Sequence, residues 1–429
     1  MVNRPRGTRD FDPAQMAQRR GAEQALRQVF QTFGFQEVQT PVFEELELFT
    51  AKSGDGIISE LYNFQDKGER DMTLRPELTA PVMRMYFQDH AFDPKPIKWC
   101  YFGACYRYDR PQEGRYREFW QFGCEQIGAG TPLAYAELIA LGAGCFDALG
   151  LKDIEIRVGH VAILRAAVDT FGFDEETRGA FMRAIDKEDR ETMQQIATDK
   201  GGCEAALDRL LLVMDAPDVA AARLAMGDEA ADAFDDLRQT LELLAAFGVD
   251  VTLNLGIARG LDYYTGVVFE AHCKELEAQS QLLGGGGYDL SALFGGQPTP
   301  TMGFGLGFDR ALVALEKQGR ALTSTPRPVA YLGALSDAAQ TAVVPIAARL
   351  RRSGVAVELD IARRKPNKVA AHADHLGATY LVLVGDRDLE AGTVQVKHLA
   401  DGARTEVAIG DVADWLLEQS GNVDLRDYN

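Results

Sequence analysis

The chain has 429 residues, 46% hydrophobic and 25% charged, with a formal net charge of −19. That length exceeds one ordinary core and predicts two or three globular domains, while the acidic balance argues against blanket nucleic-acid binding. No apolar run reaches the roughly 20 residues of a membrane-crossing helix, and MVNRPRGTRD has no apolar signal region, so neither a membrane span nor secretion is expected and the cytoplasm is the default. Cys100, Cys105, Cys124, Cys145, Cys203 and Cys273 form no CxxC pair and lie mostly in apolar runs, which predicts reduced, buried thiols. His372 and His375 share a helix face, but no other metal ligand is evident nearby, and no protein metal site is assigned.

In chain order, Asp12-Pro13 reads as a cap and first turn, and the apolar spacing of Met16, Ala22, Leu26, Val29 and Phe30 predicts an amphipathic helix ended by Gly34. Thr40-Pro41 then excludes a central strand at that point but suits an edge or a subunit contact. Short strands are expected at 62–64 and 72–74, and a helix from Arg75 to about Phe87, with Pro76 in its first turn and Glu77 complementing its dipole. Residues 105–125, CYRYDRPQEGRYREFWQFGCE, read as two strands around a Pro-Gln-Glu-Gly turn. Arg107, Arg110, Arg115 and Arg117 crowd this hairpin. Arginine forks fit phosphate oxygens, so a cationic hairpin in an acidic chain points to a polyanionic ligand, the plain alternative being a solvated surface turn.

A helix is expected over 132–149, a strand over 154–158, and an Ala-rich, acidic, wholly helical stretch over 173–248. Residues 174–245 of it hold 8 basic and 18 acidic residues. Strands return at 251–255 and 263–271, followed by GGGGYD (284–289) and MGFGLGFDRALVALE (302–316), a strand entering a helix. Residues 322–328 read as a linker. Beyond them strands at 329–332, 355–359, 380–384, 394–397 and 405–408 alternate with helices at 338–351, 367–376 and 412–418, a small α/β domain.

Together these segments resemble histidyl-tRNA synthetase, a class II aminoacyl-tRNA synthetase family. RGTRDF (6–11) resembles the family's opening, GFQEVQTPVFE (34–44) class II motif 1, residues 102–128 motif 2, GFGLGFDRALVAL (303–315) motif 3, and ARGLDYYTGVVFEA (258–271) the family's histidine-binding motif. The resemblance implies an α+β fold: a class II catalytic core with a mainly antiparallel sheet and helices in two parts (1–172 and 249–321), a helical insertion (173–248), a linker (322–328) and a C-terminal α/β anticodon-binding domain (329–429). It implies a homodimer, ATP as substrate, Mg²⁺ held largely by phosphate oxygens, L-histidine, and a histidine tRNA charged at its 3′ end.

The implied reaction joins the histidine carboxylate to the α-phosphorus of ATP and releases pyrophosphate, so the site must position two anions and neutralise charge. By resemblance, Arg107 and Arg259 flank the α-phosphate, Arg310 packs on adenine and reaches the γ-phosphate, Phe119 covers the other adenine face, and Arg115 is a further phosphate candidate. Asp109 stands where the family commonly has a glutamate for the adenine end; its shorter side chain reaches through water. Glu77, Thr79 and Gln121 match the groups around the ammonium and carboxylate of histidine, and Arg259 serves both ligands. Glu125 matches the carboxylate that accepts the ring Nδ1 proton, Tyr264 beside Tyr263 meets the other nitrogen, and Tyr288 closes the pocket. A site bonding both ring nitrogens rejects isosteres by roughly 10⁴ without editing.

The glycines of GGGGYD and GFGLGF fit neither a P-loop nor a dinucleotide fingerprint, and are expected to bring backbone close to substrate. The acidic insertion is a poor RNA surface, so any contact there is expected through Arg183, Lys187 or Arg190. Arg363, Arg364, Lys365 and Lys368 form the tail's basic cluster, whose plain alternative is a solvated helix start. The main rival is a non-catalytic regulatory subunit of ATP phosphoribosyltransferase, a class that generally lacks the anticodon-binding domain and degrades the histidine motif; both are present here.

Overall fold

A computed structural model describes residues 2–53, 55–110, 113–200, 204–258, 264–322 and 327–420. The chain divides into two units, Met1–Phe11 with Arg19–Leu322 and Asp12–Gln18 with Thr323–Asn429. Helix α1 (Pro13–Thr32) is followed by β1 (Gln36–Glu37), β2 (Phe43–Glu45), α2 (Glu47–Ser53), β3 (Tyr62–Gln65), β4 (Asp71–Leu74), α3 (Thr79–Met85), β5 (Ile97–Tyr106), β6 (Glu118–Ile127), α4 (Pro132–Leu149), β7 (Ile154–His160) and α5 (Val161–Asp169). Five helices succeed one another with no strand among the described residues: α6 (Glu175–Asp186), α7 (Arg190–Asp199), α8 (Glu204–Met214), α9 (Val219–Met226) and α10 (Ala231–Phe247). Then come β8 (Thr252–Leu253), β9 (Tyr264–Cys273), β10 (Gln281–Tyr288), β11 (Thr301–Gly307) and α11 (Phe308–Lys317).

Eight strands form one sheet in the order β1-β5-β6-β11-β10-β9-β7-β8, antiparallel except for the outer pairs β1–β5 and β7–β8. Side chains alternate across it. Phe122, Cys124, Phe304 and Phe269 enter a core with Leu26 and Phe30 of α1, and the helical stretch from α6 to α10 adds Phe181, Leu207 and Phe234 to the same core. Phe30 stacks on Phe122 at 5.5 Å between ring centres. It is fully buried, and truncation there costs about 3–5 kcal/mol. Helix α4 is long and apolar enough to cross a membrane, yet it is a core helix packed on α10 and β10. Its apolarity serves the core.

A three-stranded sheet, β2-β4-β3, stands apart. Pro41 precedes it outside any strand, and Val42, Phe43 and Phe64 are exposed around it. The helix expected from Arg75 begins only at Thr79, and past Met85 it widens into a π turn over Tyr86–His90. The late start has a cause: the buried Arg75 guanidinium donates to the carbonyls of Ala104 (2.9 Å), Thr40 (2.9 Å) and Pro41 (3.1 Å), which pins the residues before α3 to β5 and the proline segment. Five described cysteines, Cys100, Cys105, Cys124, Cys145 and Cys273, are free and buried.

The second unit contains β12 (Ala330–Ala334), α12 (Asp337–Arg352), β13 (Val357–Leu359), α13 (Pro366–His375), β14 (Tyr380–Val384), α14 (Asp386–Ala391), β15 (Thr393–His398), β16 (Arg404–Ala408) and α15 (Val412–Ser420). Its sheet, β13-β12-β14-β15-β16, is parallel around β12 and antiparallel beyond β14. The expected alternation of strands and helices is present. Helix α14 was not expected: DRDLEA has no apolar period, and it is nucleated by Asp388, whose carboxylate accepts the Gly385 amide at 2.8 Å.

Candidate active site

A cleft of about 1020 Å³ opens on the sheet face opposite the aromatic core, lined from β5, β6, β9, β10, β11 and the starts of α3 and α11. Behind its wall, reached through Tyr101 of the lining, stands Glu125, 1% exposed. The Tyr101 hydroxyl donates to its Oε1 at 2.9 Å, and the Tyr288 hydroxyl donates to Oε2. Thr79 Oγ1 lies 3.4 Å from the Tyr101 hydroxyl. Burial pushes the Glu125 carboxyl up to about 7, against the hydrogen bonds from Tyr288, Thr79 and Tyr101 that favour its charge. Burial beside that carboxylate likewise raises the Tyr101 and Tyr288 hydroxyls well above the usual tyrosine range. Tyr264, which lines the cleft, meets Tyr288 edge-on at 6.5 Å. Gln121, two pleats from Glu125, accepts a contact from Cys105 Sγ at 3.4 Å. Glu77 caps α3: its Oε2 accepts the Thr79 amide at 2.6 Å and its Oε1 the Ala80 amide at 3.1 Å, which is the helix-dipole role, performed by a residue that also lines the cleft.

Glycines make this arrangement fit. A Cβ on Gly123 would strike the Tyr101 ring, and one on Gly303 would strike the Glu125 carboxylate. A Cβ on Gly266 or Gly287 would meet the Tyr135 hydroxyl. The sequence predicts glycines that admit substrate; several instead admit the protein's own side chains, while Gly284, Gly285, Gly305 and Gly307 line the cleft.

The other end of the cleft is cationic. Arg107 donates from Nε to the Pro76 carbonyl at 2.9 Å and lies 5.2 Å over the Phe119 ring. Arg115 forks onto Asp109, with both bonds at 2.9 Å. Arg310, near the start of α11, donates to the carbonyls of Gly114 (3.1 Å) and Gln281 (2.9 Å). Asp109 is the partner of Arg115, a pairing across the turn, and it lines the cleft as well. All five side chains line the one cleft. Arg259 and Tyr263 fall outside the described residues, as do Pro111 and Gln112 of the hairpin turn.

Residues 7–311 match the family model for histidyl-tRNA synthetase, and residues 329–419 match that for an anticodon binding domain. The chain belongs to the histidyl-tRNA synthetase family. A histidine–tRNA ligase from Archaeoglobus fulgidus is 43% identical over 416 residues, covering 95% of this chain and 97% of that one. One from Methanosarcina acetivorans is 41% identical, covering 97% and 99%. The solved apo histidyl-tRNA synthetase of S. aureus superposes with a TM-score of 0.73 at 26% identity, over 97% of this chain and all of that one.

Within this synthetase fold, three features escape a reading of the motifs. Tyr101 was legible only as a strand aromatic, because its role depends on the β5–β6 register, which sets it opposite Gly123. Asp309, 2% exposed, accepts Arg9 at 2.5 Å and Arg19 at 2.6 Å on Oδ1, and the Trp120 amide at 2.6 Å on Oδ2. It locks the residue before Arg310 to the strand residue between Phe119 and Gln121. Arg9 also stacks 3.4 Å from the Tyr116 ring centre, so the opening segment braces motif 2. Asp186, the last residue of α6, lines the cleft as well. Its position in an acidic helical stretch offered no signal.

Proposed function

We propose that this cleft binds L-histidine and ATP, forms histidyl-adenylate with release of pyrophosphate, and transfers the histidyl group to the 3′ end of a histidine tRNA. The observation that carries this reading is the buried Glu125, held by two tyrosine hydroxyls, one of them on Tyr101 of the lining, behind a cleft that also holds Arg107, Arg115 and Arg310. A carboxylate in a dry pocket suits the ring N–H of histidine, with Tyr264 and Tyr288 beside it and Glu77, Thr79 and Gln121 towards the ammonium and carboxylate. The arginines suit phosphate: each already donates to a carbonyl or carboxylate oxygen, the chemistry a phosphoryl oxygen offers. Arg259 and Tyr263 enter the proposal on the histidine motif alone. Arg107, Arg259 and Arg310 are proposed to neutralise charge as the α-phosphate is attacked.

Among the described residues no group of three or more His, Cys, Asp or Glu side chains could cage a metal. Of the carboxylates that line the cleft, the one proposed for Mg²⁺ is Glu270, which pairs with His272 on the same strand and accepts from Gln281, whose carbonyl receives Arg310. It would hold the ion that ATP phosphates carry, and the ion would supply further charge neutralisation there. The proposal keeps the division into a split catalytic core (1–172 and 249–321), an insertion (173–248) and an anticodon-binding domain (329–429). It includes a homodimer, supported by exposed Val42, Phe43 and Phe64 around the small sheet, and the cytoplasm, supported by free buried thiols. The regulatory-subunit alternative is weakened by the match to an anticodon binding domain. Histidine-dependent exchange of labelled pyrophosphate into ATP tests the reading. Folded protein that catalyses no exchange would refute it.

A further inference from the structure

We propose that His272 is a positioning residue for the nucleotide end of the cleft, acting through Glu270; the inference rests on the reading of this cleft as an ATP site. Four cleft side chains form a continuous strip. Ser280 Oγ lies 3.1 Å from His272 Nδ1, His272 Nε2 lies 3.0 Å from Glu270 Oε2, and Gln281 Nε2 donates to Glu270 Oε1 at 2.9 Å. Strand register builds it: Glu270 and His272 are one pleat apart on β9, and Gln281 faces His272 across the β9–β10 pair. The Gln281 carbonyl receives Arg310 at 2.9 Å, so the strip ends on an arginine assigned above to the triphosphate.

The chemistry fixes the direction of the bonds. A carboxylate only accepts, so the His272 Nε2 carries a proton towards Glu270, and Ser280 at Nδ1 orients the ring. On the neighbouring strand Glu155 faces His272 and Arg157 faces Glu270. Arg157, however, bonds Glu155 at 2.9 Å and approaches Glu188 at 4.0 Å. Glu270 is thus aimed by His272 and Gln281, which leaves its remaining lone pairs for a cation that arrives with ATP. With 15% and 13% of their side chains exposed, His272 and Glu270 reach the cleft but are oriented by protein.

Two substitutions separate this role from a merely structural one. His272→Gln places an amide nitrogen near the position of Nε2 and keeps the donor to Glu270; His272→Asn places it near Nδ1 and keeps only the contact with Ser280. Calorimetric titration of the full-length protein with ATP and Mg²⁺ is expected to show affinity weakened about tenfold in His272→Asn, the cost of one hydrogen bond to a charged group, and restored to within about twofold in His272→Gln. Histidine KM in the exchange assay is expected to be the same in both. Should His272→Asn lose thermal stability, Ser280→Ala provides the second arm, with a weakening of about threefold expected from a freed ring. Wild-type ATP affinity in both His272→Asn and Ser280→Ala, or equal losses in the Asn and Gln variants, would overturn the proposal. Absence of ATP binding by the unsubstituted protein would instead overturn the ATP reading beneath it.

Discussion

The two ends of the cleft are built on opposite plans. At the proposed histidine end the innermost polar groups are buried and already bonded: Glu125 has Tyr101 and Tyr288, and Gly123 and Gly303 leave room for Tyr101 and for Glu125 itself. At the proposed nucleotide end Arg107, Arg115 and Arg310 rest on the protein's own oxygens and remain at least part-exposed. The first plan discriminates, because a ligand that fails to complete the buried network leaves polar groups unpaired. The second exchanges partners, because a phosphate replaces a carbonyl or a carboxylate at small net cost.

The comparison breaks first at Glu125. Glu125→Gln removes the charge and turns one of the two acceptor oxygens into a donor that faces a tyrosine hydroxyl or the ring N–H, and histidine-dependent pyrophosphate exchange is expected to fall by roughly 10⁴; a loss under tenfold would remove Glu125 from recognition. Arg107→Ala is expected to lower the same exchange by about 10²–10³, with histidine binding by calorimetry unchanged. A third measurement concerns stability. The Glu125 carboxyl is raised from 4.5 to about 7 on folding, so the stability it lends is complete below about pH 4.5 and is lost as pH climbs through 7. Urea unfolding is therefore expected to show Glu125→Gln gaining on the wild type between pH 5 and pH 8, by up to about 3 kcal/mol. A constant difference would mean that the carboxylate is ionised throughout. The smallest effect belongs to the nucleotide end: Asp109→Asn frees Arg115 from a part-exposed ion pair, and KM for ATP is expected to drop by about threefold. A rise would show Asp109 itself bonding the nucleotide.

How much of this could be read beforehand follows the same division. Gln121 and Glu125 could be placed on one face of one strand because a strand alternates with a period of two. Their partners could not, since Tyr101 reaches Glu125 only through the pairing of β5 with β6 and the missing side chain at Gly123. The Arg115–Asp109 pair spans a turn whose closure no spacing rule predicts. Asp309 reads in sequence as an acid at a helix start, and only three-dimensional packing brings Arg9 and Arg19 onto it. The late start of α3 was hidden for a similar reason: Pro76 and Glu77 signal a helix, while Arg75, bonded to three distant carbonyls, delays it.

The Asp309 cluster also sets a schedule for synthesis. Arg9 and Arg19 precede their partner by 300 and 290 residues. At about 5–20 residues per second the ribosome makes those arginines roughly 15–60 s before the aspartate exists. Contacts so distant along the chain close slowly and late. The brace behind motif 2 is accordingly absent from every nascent chain shorter than 309 residues. A pulse-labelled series of ribosome-bound lengths is therefore expected to acquire nucleotide binding only once α11 has left the exit tunnel, while the second unit is still being made.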